Sequence, residues 1–346
     1  MTITVVTCLR DEGPFLTEWL AHLRALGVDR ILAFTNDCAD GTEAVLDALA
    51  PAGVTHVPQG AIADQPGQTP QWRAMAAAWD HPACDADWLL HLDPDEYIAL
   101  EGAADLPGLI AANAGAQAIA LPWRLFGWSG RVAAGEGTTP ERFRRAAPAG
   151  LAYPALGSFI KTLFHREGPF TGFGIHRPRQ SAVPVFHDDC GRPDPELAAA
   201  QGRILLWRGG AAPAGRMVQL NHYSVRSVEE FLVKRERGLP NRVGKPIDLT
   251  YWVERNFNQV EDDMIAPQLP AMGVELARLR ALPGLAGAET ASRAWHAARL
   301  KAILATPEGA TLAGRLVLAG GSHAPDAALG RRLIAMRRRA EAGAAA

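Results

Sequence analysis

Short apolar runs alternate with helical patterns over the first hundred residues, and this alternation constrains the fold more than any other feature. The predicted strands, all rich in β-branched or apolar side chains, are residues 3–8, 31–35, 54–57 and 88–92. Helices are predicted between them because apolar side chains recur there at helical spacing. Strands that alternate with helices form a parallel sheet covered on both faces. We therefore expect an α/β fold with a doubly wound, Rossmann-like, mostly parallel sheet flanked by helices.

The alternation becomes irregular beyond residue 97. Further strands are predicted at residues 118–123, 159–164 and 217–223, separated by long segments rich in glycine and proline. Ser227 and Glu230 form a capping-box pattern that predicts the start of a helix. From about residue 252 onward the chain is mostly Ala, Leu and Arg with helical spacing, so a helical C-terminal extension is expected to follow the sheet.

Charge and hydropathy narrow the classes of function. The chain has 35 basic and 37 acidic residues, which argues against a nucleic-acid partner. Every apolar run is too short to span a membrane, and the N-terminus lacks the basic start of a signal peptide, so a cytoplasmic location is expected. The last sixteen residues contain five arginines and one glutamate. They are interpreted as a solvated helix end or, alternatively, as a peripheral contact with an anionic surface.

An acidic cluster follows the predicted strand 88–92 and is the strongest candidate for a site. The sequence contains no GxGxxG at a strand–helix junction, no GxxxxGK[ST], no HExxH and no GxSxG motif. Asp93, Asp95 and Glu96 lie where ligands bind in open α/β sheets, and they would repel one another without a cation between them. Asp93 and Asp95 could share one Mg²⁺ or Mn²⁺ ion. The alternative is that Asp95 and Glu96 cap a following helix turn and face solvent.

Eight short segments, in this order, resemble the motifs of one family. They are TCLRDEG (7–13), FLTEWL (15–20), ALGV (25–28), NDCADGT (36–42), LDPDEY (92–97), WRLFG (123–127), NHYSVRS (221–227) and KRERG (234–238). The sequence resembles the family 2-like glycosyltransferases of GT-A fold, in the bacterial branch related to family 92. The resemblance covers about residues 1–260.

This resemblance implies a hexosyltransferase that needs Mg²⁺ or Mn²⁺. It would transfer a sugar from a UDP- or GDP-sugar to a saccharide or other hydroxyl acceptor, in the synthesis of a cell-surface polysaccharide or glycoconjugate. Residues 1–240 would form the catalytic domain, with a nucleotide-binding half (1–100) and an acceptor half (101–240), and residues 241–346 a mainly helical region. The implied metal ligands are Asp93, Asp95 and His222. Asp95, expected at an exposed strand end, would also be essential for turnover.

The resemblance also implies which residues hold the donor. The edges that would bind the nucleoside and its ribose are Thr7, Leu9, Arg10, Asp11, Glu12, Asn36 and Asp37. Gln71 falls near a family position that faces the donor. Basic side chains can bind the diphosphate, and the candidates are Lys161, Arg226, Lys234 and Arg237.

The residue that deprotonates the acceptor is left open by the sequence. The acceptor half offers Glu141, Asp188, Asp189 and His176, and we rank Glu141 and the Asp188–Asp189 pair nearly equal. Asn256 and Asn258 either bind the acceptor or tie the helices to the sheet. Two other functions compete with the transferase: a magnesium-dependent nucleotidyltransferase and a non-catalytic module that binds nucleotide sugars.

Overall fold

The computed structural model describes residues 1–62, 67–199, 202–208, 210–211, 213–238 and 247–344, with side chains up to residue 340. The predicted domain boundary at residues 240–241 lies outside these residues. The described strands are β1 (Ile3–Leu9), β2 (Arg30–Thr35), β3 (Val54–Pro58), β4 (Trp88–His91), β5 (Glu96–Leu100), β6 (Ala118–Leu125), β7 (Arg145–Ala146), β8 (Ile160–His165), β9 (Phe170–Gly172), β10 (Arg179–Gln180), β11 (Phe186–His187), β12 (Val218–His222) and β13 (Val260–Glu261).

The described α-helices are α1 (Gly13–Ala25), α2 (Thr42–Ala48), α3 (Pro70–Ala78), α4 (Leu106–Ala112), α5 (Thr139–Arg142), α6 (Pro195–Ala199), α7 (Val228–Arg237), α8 (Leu249–Arg255), α9 (Leu269–Arg280), α10 (Leu285–Leu304), α11 (Pro307–Ala319) and α12 (Ala327–Ala344). Short 3₁₀ turns occur at Ala50–Ala52, Pro82–Cys84, Ala155–Ser158 and Ala266–Gln268. None of the described helices is long and apolar enough to cross a membrane.

One large sheet organises the fold, with strand order β3-β2-β1-β4-β8-β6-β12-β5 and β11 paired to β6. The strands β3, β2, β1 and β4 run parallel, as predicted from the strand–helix alternation. Beyond them β8 is antiparallel to both of its neighbours, whereas β12 is parallel to β6 and antiparallel to β5. The predicted α/β fold with a mostly parallel sheet and C-terminal helices is therefore confirmed.

Apolar side chains fill both faces of this sheet. On one face Trp19 of α1 packs with Leu276 of α9. On the other face Met75 of α3 packs with Phe164 and Phe186. Helix α1 ends against Gly27, whose φ of 83° fits the left-handed conformation that glycine adopts without steric cost. The sheet thus has buried side chains on both faces, which explains why its strands read as nearly continuous apolar runs.

The C-terminal helices pack onto the first half of the chain. Helix α9 packs along α1, and α10 contacts α1, α2 and α7. At the α10 contact Asp40 accepts hydrogen bonds from His296 Nε2 at 2.8 Å and from the backbone N–H of Gly13 at 3.0 Å. Burial raises the pKa of Asp40, but hydrogen bonds from His296 and Thr42 outweigh it and lower the pKa to about 2. A buried carboxylate therefore ties α10 to the loop after β2.

Candidate functional site

A cleft of about 950 Å³ opens at the carboxyl ends of β1, β2 and β4. Its lining comes from these strand ends, the acidic turn, the segment before β10, the end of β12 and helices α7, α8 and α12. Ligands of open α/β sheets bind at this edge. A second acidic group, Asp189, instead lines a separate small cavity of about 50 Å³. The 950 Å³ cleft, which contains the acidic turn, is thus the candidate functional site.

The acidic cluster forms a turn between two strands. Glu96 begins β5 and is fully buried, and Asp95 is only 5% exposed. No helix turn follows them, so the alternative that they cap a helix and face solvent is wrong. The expectation that Asp95 is exposed is wrong as well, because β5 pairs with β12 and draws the turn into the sheet. The turn is braced from within, since the backbone N–H of Asp93 donates to Glu96 Oε2 at 2.8 Å.

Lys161 lies beneath this turn. Its Nζ is 2.9 Å from Asp93 Oδ2 and 3.4 Å from Glu96 Oε2. The other oxygen of Asp93 accepts a hydrogen bond from Gln71 Nε2 at 2.9 Å. Burial raises the pKa of Asp93, but the ammonium of Lys161 outweighs it and the pKa falls. Lys161 was predicted to bind the diphosphate, yet it is 1% exposed and lies outside the cleft lining, so the structure gives it the role of orienting Asp93.

Asp95 and His222 approach each other in the cleft. Asp95 Oδ2 accepts a hydrogen bond from Lys234 Nζ at 2.6 Å, while Asp95 Oδ1 lies 3.6 Å from His222 Nε2. Burial lowers the pKa of His222, which keeps the ring neutral. Burial opposes ionisation of Asp95, but the ammonium of Lys234 outweighs it and holds the pKa of Asp95 well below the usual range. An ionised carboxylate beside a neutral imidazole is a donor set that suits a divalent transition metal.

The predicted metal set is therefore brought together in part. Asp95 and His222 present adjacent ligand atoms, and the indole of Trp123 packs on the imidazole with ring centroids 4.1 Å apart. Asp93 lies in the same cleft, but both of its oxygens are engaged by Gln71 and Lys161. Two side chains, Asp95 and His222, are thus placed to bind a metal ion, and Asp93 lies in the same cleft.

The predicted diphosphate cations divide into two groups. Lys234 and Arg237 line the cleft. Arg226 does not line it, because its guanidinium is buried over the ring of Phe15 and its Nη1 donates to Glu12 Oε2 at 3.2 Å. Its Nη2 also reaches the carbonyl of Pro94 at 3.4 Å. Arg226 thus braces the acidic turn from the side of β1.

The residues predicted to bind the nucleoside also fall into two groups, those that line the cleft and those that do not. Arg10, Glu12 and Asn36 line the cleft, as does Gln71. Thr7 and Leu9 are buried within β1 and do not line it. Asp11 and Asp37 both adopt a φ of 48° and accept hydrogen bonds from backbone N–H groups, of Ala39 at 2.7 Å and of Ile62 at 3.0 Å. These two aspartates shape the loops that present the cleft residues.

Two of the three predicted sites for a base lie away from the cleft lining. Glu141 is exposed and accepts hydrogen bonds from Thr138 in a capping box. Asp188 and Asp189 both pair with Arg208. His176 does line the cleft, and its Nδ1 lies 3.0 Å from the carbonyl oxygen of Ile160. Burial lowers the pKa of His176 to about 4, so the ring is neutral near pH 7.

Asn256 and Asn258 tie helices to loops. Asn256 Oδ1 accepts from the backbone N–H of Trp128 at 2.9 Å, and its Nδ2 donates to the carbonyl of Gly320 at 2.6 Å. Asn258 Oδ1 accepts from the backbone N–H of Ser129 at 2.8 Å. Neither amide lines the cleft, so the structure favours the tie over acceptor binding.

Comparisons with known proteins give only partial matches. No protein-family model matches the sequence, and no protein of curated function matches it either. Among solved structures, glucosyl-3-phosphoglycerate synthase from Mycobacterium tuberculosis in complex with Mg²⁺ and uridine-diphosphate is 19% identical over 48% of this chain and 57% of that chain, with a TM-score of 0.28. HddC from Yersinia pseudotuberculosis is 13% identical over 42% of this chain and 67% of that chain, with a TM-score of 0.26.

A second structure of the synthase, in complex with phosphoglyceric acid, is 20% identical over 36% of this chain and 44% of that chain, with a TM-score of 0.25. The chain thus spans about half the length of the synthase. The fold of this chain is described above from its own strands and helices.

Several cleft residues were not among the predicted site residues. In α8 the guanidinium of Arg255 stacks on the ring of Tyr251 at 3.8 Å, and both line the cleft. Their spacing of four residues places them on one helix face, which is a signal that the sequence does contain. Arg179 and Arg338 also line the cleft, but no local pattern connects β10 with α12.

Proposed function

We propose that this chain is a glycosyltransferase of GT-A type, which transfers a sugar from a nucleoside diphosphate sugar to a hydroxyl acceptor and uses a divalent cation. The observation that carries the proposal is the pair of Asp95 Oδ1 and His222 Nε2, 3.6 Å apart at the edge of a 950 Å³ cleft. The pair sits at the carboxyl ends of parallel strands, next to the basic side chains of Lys234 and Arg237.

Asp95 and His222 are the residues that would hold the cation. A bound Mg²⁺ or Mn²⁺ would supply positive charge to the diphosphate as its bond to the sugar breaks, and an imidazole ligand favours Mn²⁺ over Mg²⁺. Lys234 fixes one oxygen of Asp95 and leaves the other toward His222. Lys161 and Gln71 fix Asp93 in the same way, so the acidic turn is already oriented before any ligand binds.

The strand ends would hold the nucleoside. Asn36 offers an amide to the base or ribose, and Arg10 and Arg237 offer charge to the phosphates. In this proposal Thr7, Leu9, Asp11 and Asp37 act by shaping the loops. A UDP- or GDP-hexose as donor, and a cell-surface polysaccharide or glycoconjugate as product, remain parts of the proposal that follow from the resemblance.

His176 is the group that we propose to accept the proton of the acceptor hydroxyl. In the transfer, the acceptor oxygen bonds to the anomeric carbon, the bond from that carbon to the diphosphate breaks, and the hydroxyl proton passes to the base. With Nδ1 donating to the carbonyl oxygen of Ile160, the Nε2 atom of the neutral ring would take that proton. Glu141, Asp188 and Asp189 are engaged elsewhere.

A donor-hydrolysis assay with a panel of UDP- and GDP-sugars tests the proposal. We expect release of free nucleoside diphosphate with Mg²⁺ or Mn²⁺ and loss of release in excess chelator. Release of pyrophosphate from a nucleoside triphosphate and a sugar 1-phosphate, assayed in parallel, would instead indicate a nucleotidyltransferase. Tight binding of a nucleotide sugar without turnover, including in the presence of candidate acceptors, would indicate a non-catalytic module.

A further inference from the structure

Two arginines of the cleft have no carboxylate partner among the residues that the structure describes. Arg179 lies in β10 and Arg338 in α12, and both are exposed side chains of the cleft lining. Two other arginines of the cleft lining are engaged: Arg255 with Glu254 and Tyr251, and Arg177 with the carbonyl oxygens of Leu197 and Arg203. Arg179 and Arg338 are therefore able to bind an anion without breaking an existing ion pair.

The charge of the cleft lining points the same way. Eight basic and five acidic side chains of the described residues line it, an excess of three positive charges. The two charges of a divalent cation would offset those of a donor's diphosphate, so a cation-bound donor leaves this excess in place. A ligand that fills the rest of the cleft would be favoured if it were itself negatively charged.

Packing explains why a helix near the end of the chain reaches the cleft. A Cβ atom added at Gly330 would lie 2.7 Å from the Cβ of Ala152, so only glycine lets α12 pack this closely on the loop that carries Tyr153. Tyr153 is part of the cleft wall. Arg338 follows Gly330 by eight residues, about two helical turns or 12 Å. The basic end of the chain is thus part of the cleft wall at Arg338.

We propose that the acceptor carries an anionic group, a phosphate or a carboxylate, which Arg179 and Arg338 bind. The proposal rests on the proposed function, because it specifies the acceptor class of the same cleft. Guanidinium groups suit this role, since their planar forks donate paired hydrogen bonds to carboxylate and phosphate oxygens.

Calorimetry with three matched probes tests this proposal on the full chain saturated with Mn²⁺ and UDP or GDP. The probes are glucose 6-phosphate, glucuronate and glucose, which differ in one substituent. We expect at least one anionic probe to bind about tenfold or more tightly than glucose, and the double variant Arg179→Gln/Arg338→Gln to remove that preference. The matched control is Arg339→Gln, which changes an exposed arginine of the same helix that does not line the cleft.

The outcomes separate this proposal from the proposed function. A preference for the phosphate or for the carboxylate identifies the group and supports the proposal in either case. Equal or absent binding of the three probes, or a preference that survives the double variant, overturns it. Affinity for the nucleoside diphosphate is measured in the same variants and should change less than about twofold. If the wild type binds no nucleoside diphosphate, the proposed function fails and the acceptor proposal fails with it.

Discussion

Two acidic clusters each follow a strand of the same sheet, but their carboxylates differ in their partners and in their access to the cleft. After β4, the carboxylates of Asp93 and Asp95 pair with two lysines, and one oxygen of Asp95 still faces His222 in the large cleft. After β11, Arg208 pairs with both carboxylates, and Asp188 Oδ1 accepts from two backbone N–H groups. Adjacent carboxylates in a sequence therefore do not define a site. The first cluster differs because Asp95 Oδ1 faces His222 in the large cleft.

The second cluster does bring three possible ligands together. Asp188, Asp189 and Cys190 present ligand atoms within 4.8 Å of one another. Arg208 already supplies the positive charge that these groups would otherwise take from a metal. We therefore propose a catalytic role for the turn after β4 and a structural role for the turn after β11.

The largest expected effect separates the two clusters by activity. Asp95→Asn should lower turnover by about 100-fold or more, about 2.7 kcal/mol of barrier, because it removes the charge beside His222. Asp189→Asn is the matched change in the other cluster and should keep turnover within about threefold of wild type. Steady-state assays of both variants measure this difference. Comparable losses in the two variants would end the distinction between the clusters.

The next effect concerns stability when a basic partner is removed. Arg208→Met should lower the free energy of unfolding by about 3 kcal/mol, because Asp189 is left buried without its partner. Lys161→Met should lower the free energy of unfolding by a similar amount, because it removes the ammonium that contacts both Asp93 and Glu96. The same variant should also abolish turnover. Urea unfolding and activity assays on both proteins test this. Loss of turnover in well-folded Arg208→Met would contradict a purely structural second cluster.

Asp40 is a buried, hydrogen-bonded carboxylate outside the cleft lining, and it offers a comparison with the two acidic clusters. Its pKa is lowered to about 2 in the folded chain, so ionised Asp40 stabilises the fold above the unfolded value of 3.8. That contribution, about 2 kcal/mol at neutral pH, is lost as the pH falls from about 4 to about 2. The stability difference between wild type and Asp40→Asn should therefore shrink across this range in urea unfolding. A difference independent of pH would show that the charge of Asp40 does not tie α10 to the loop after β2.

The smallest effect is expected at Glu141. Glutamine keeps the oxygen that accepts from Thr138, so Glu141→Gln should change stability by less than about 1 kcal/mol and leave turnover unchanged. His176→Gln, assayed beside it, should lose most of its turnover. A large loss of turnover at Glu141 with none at His176 would return the role of the base to Glu141.

Much of the fold was predictable because its signals are local. The strand–helix alternation gave the four parallel strands, and the apolar strand before Asp93 placed the acidic turn at the sheet edge. The partners that decide its chemistry are distant in sequence: Lys161 is 68 residues from Asp93, and Lys234 is 139 residues from Asp95. Such pairings depend on the sheet order, in which β8 lies beside β4, and no local pattern encodes them.

The same limit explains the sites that the sequence misplaced. Glu141 and Asp188 look equal as isolated carboxylates, and only their partners, Thr138 and Arg208, distinguish them from a base in a cleft. Arg226 looks like a free cation until Phe15 and Glu12 are brought against it. In each case the sequence gives the residue type but does not show which side chains surround it.

The most direct test of the account is calorimetric titration of UDP and GDP into the wild type, Asp95→Asn and His222→Gln, each with Mn²⁺ and with excess chelator. The account predicts that the wild type binds at least one nucleotide only when the cation is present, because in the proposed site Asp95 and His222 would bind the diphosphate only through the cation. Both variants should lose about tenfold or more of this cation-dependent affinity. Binding of equal strength in chelator, or unchanged cation dependence in the two variants, would contradict the assignment of Asp95 and His222 as the metal-binding pair.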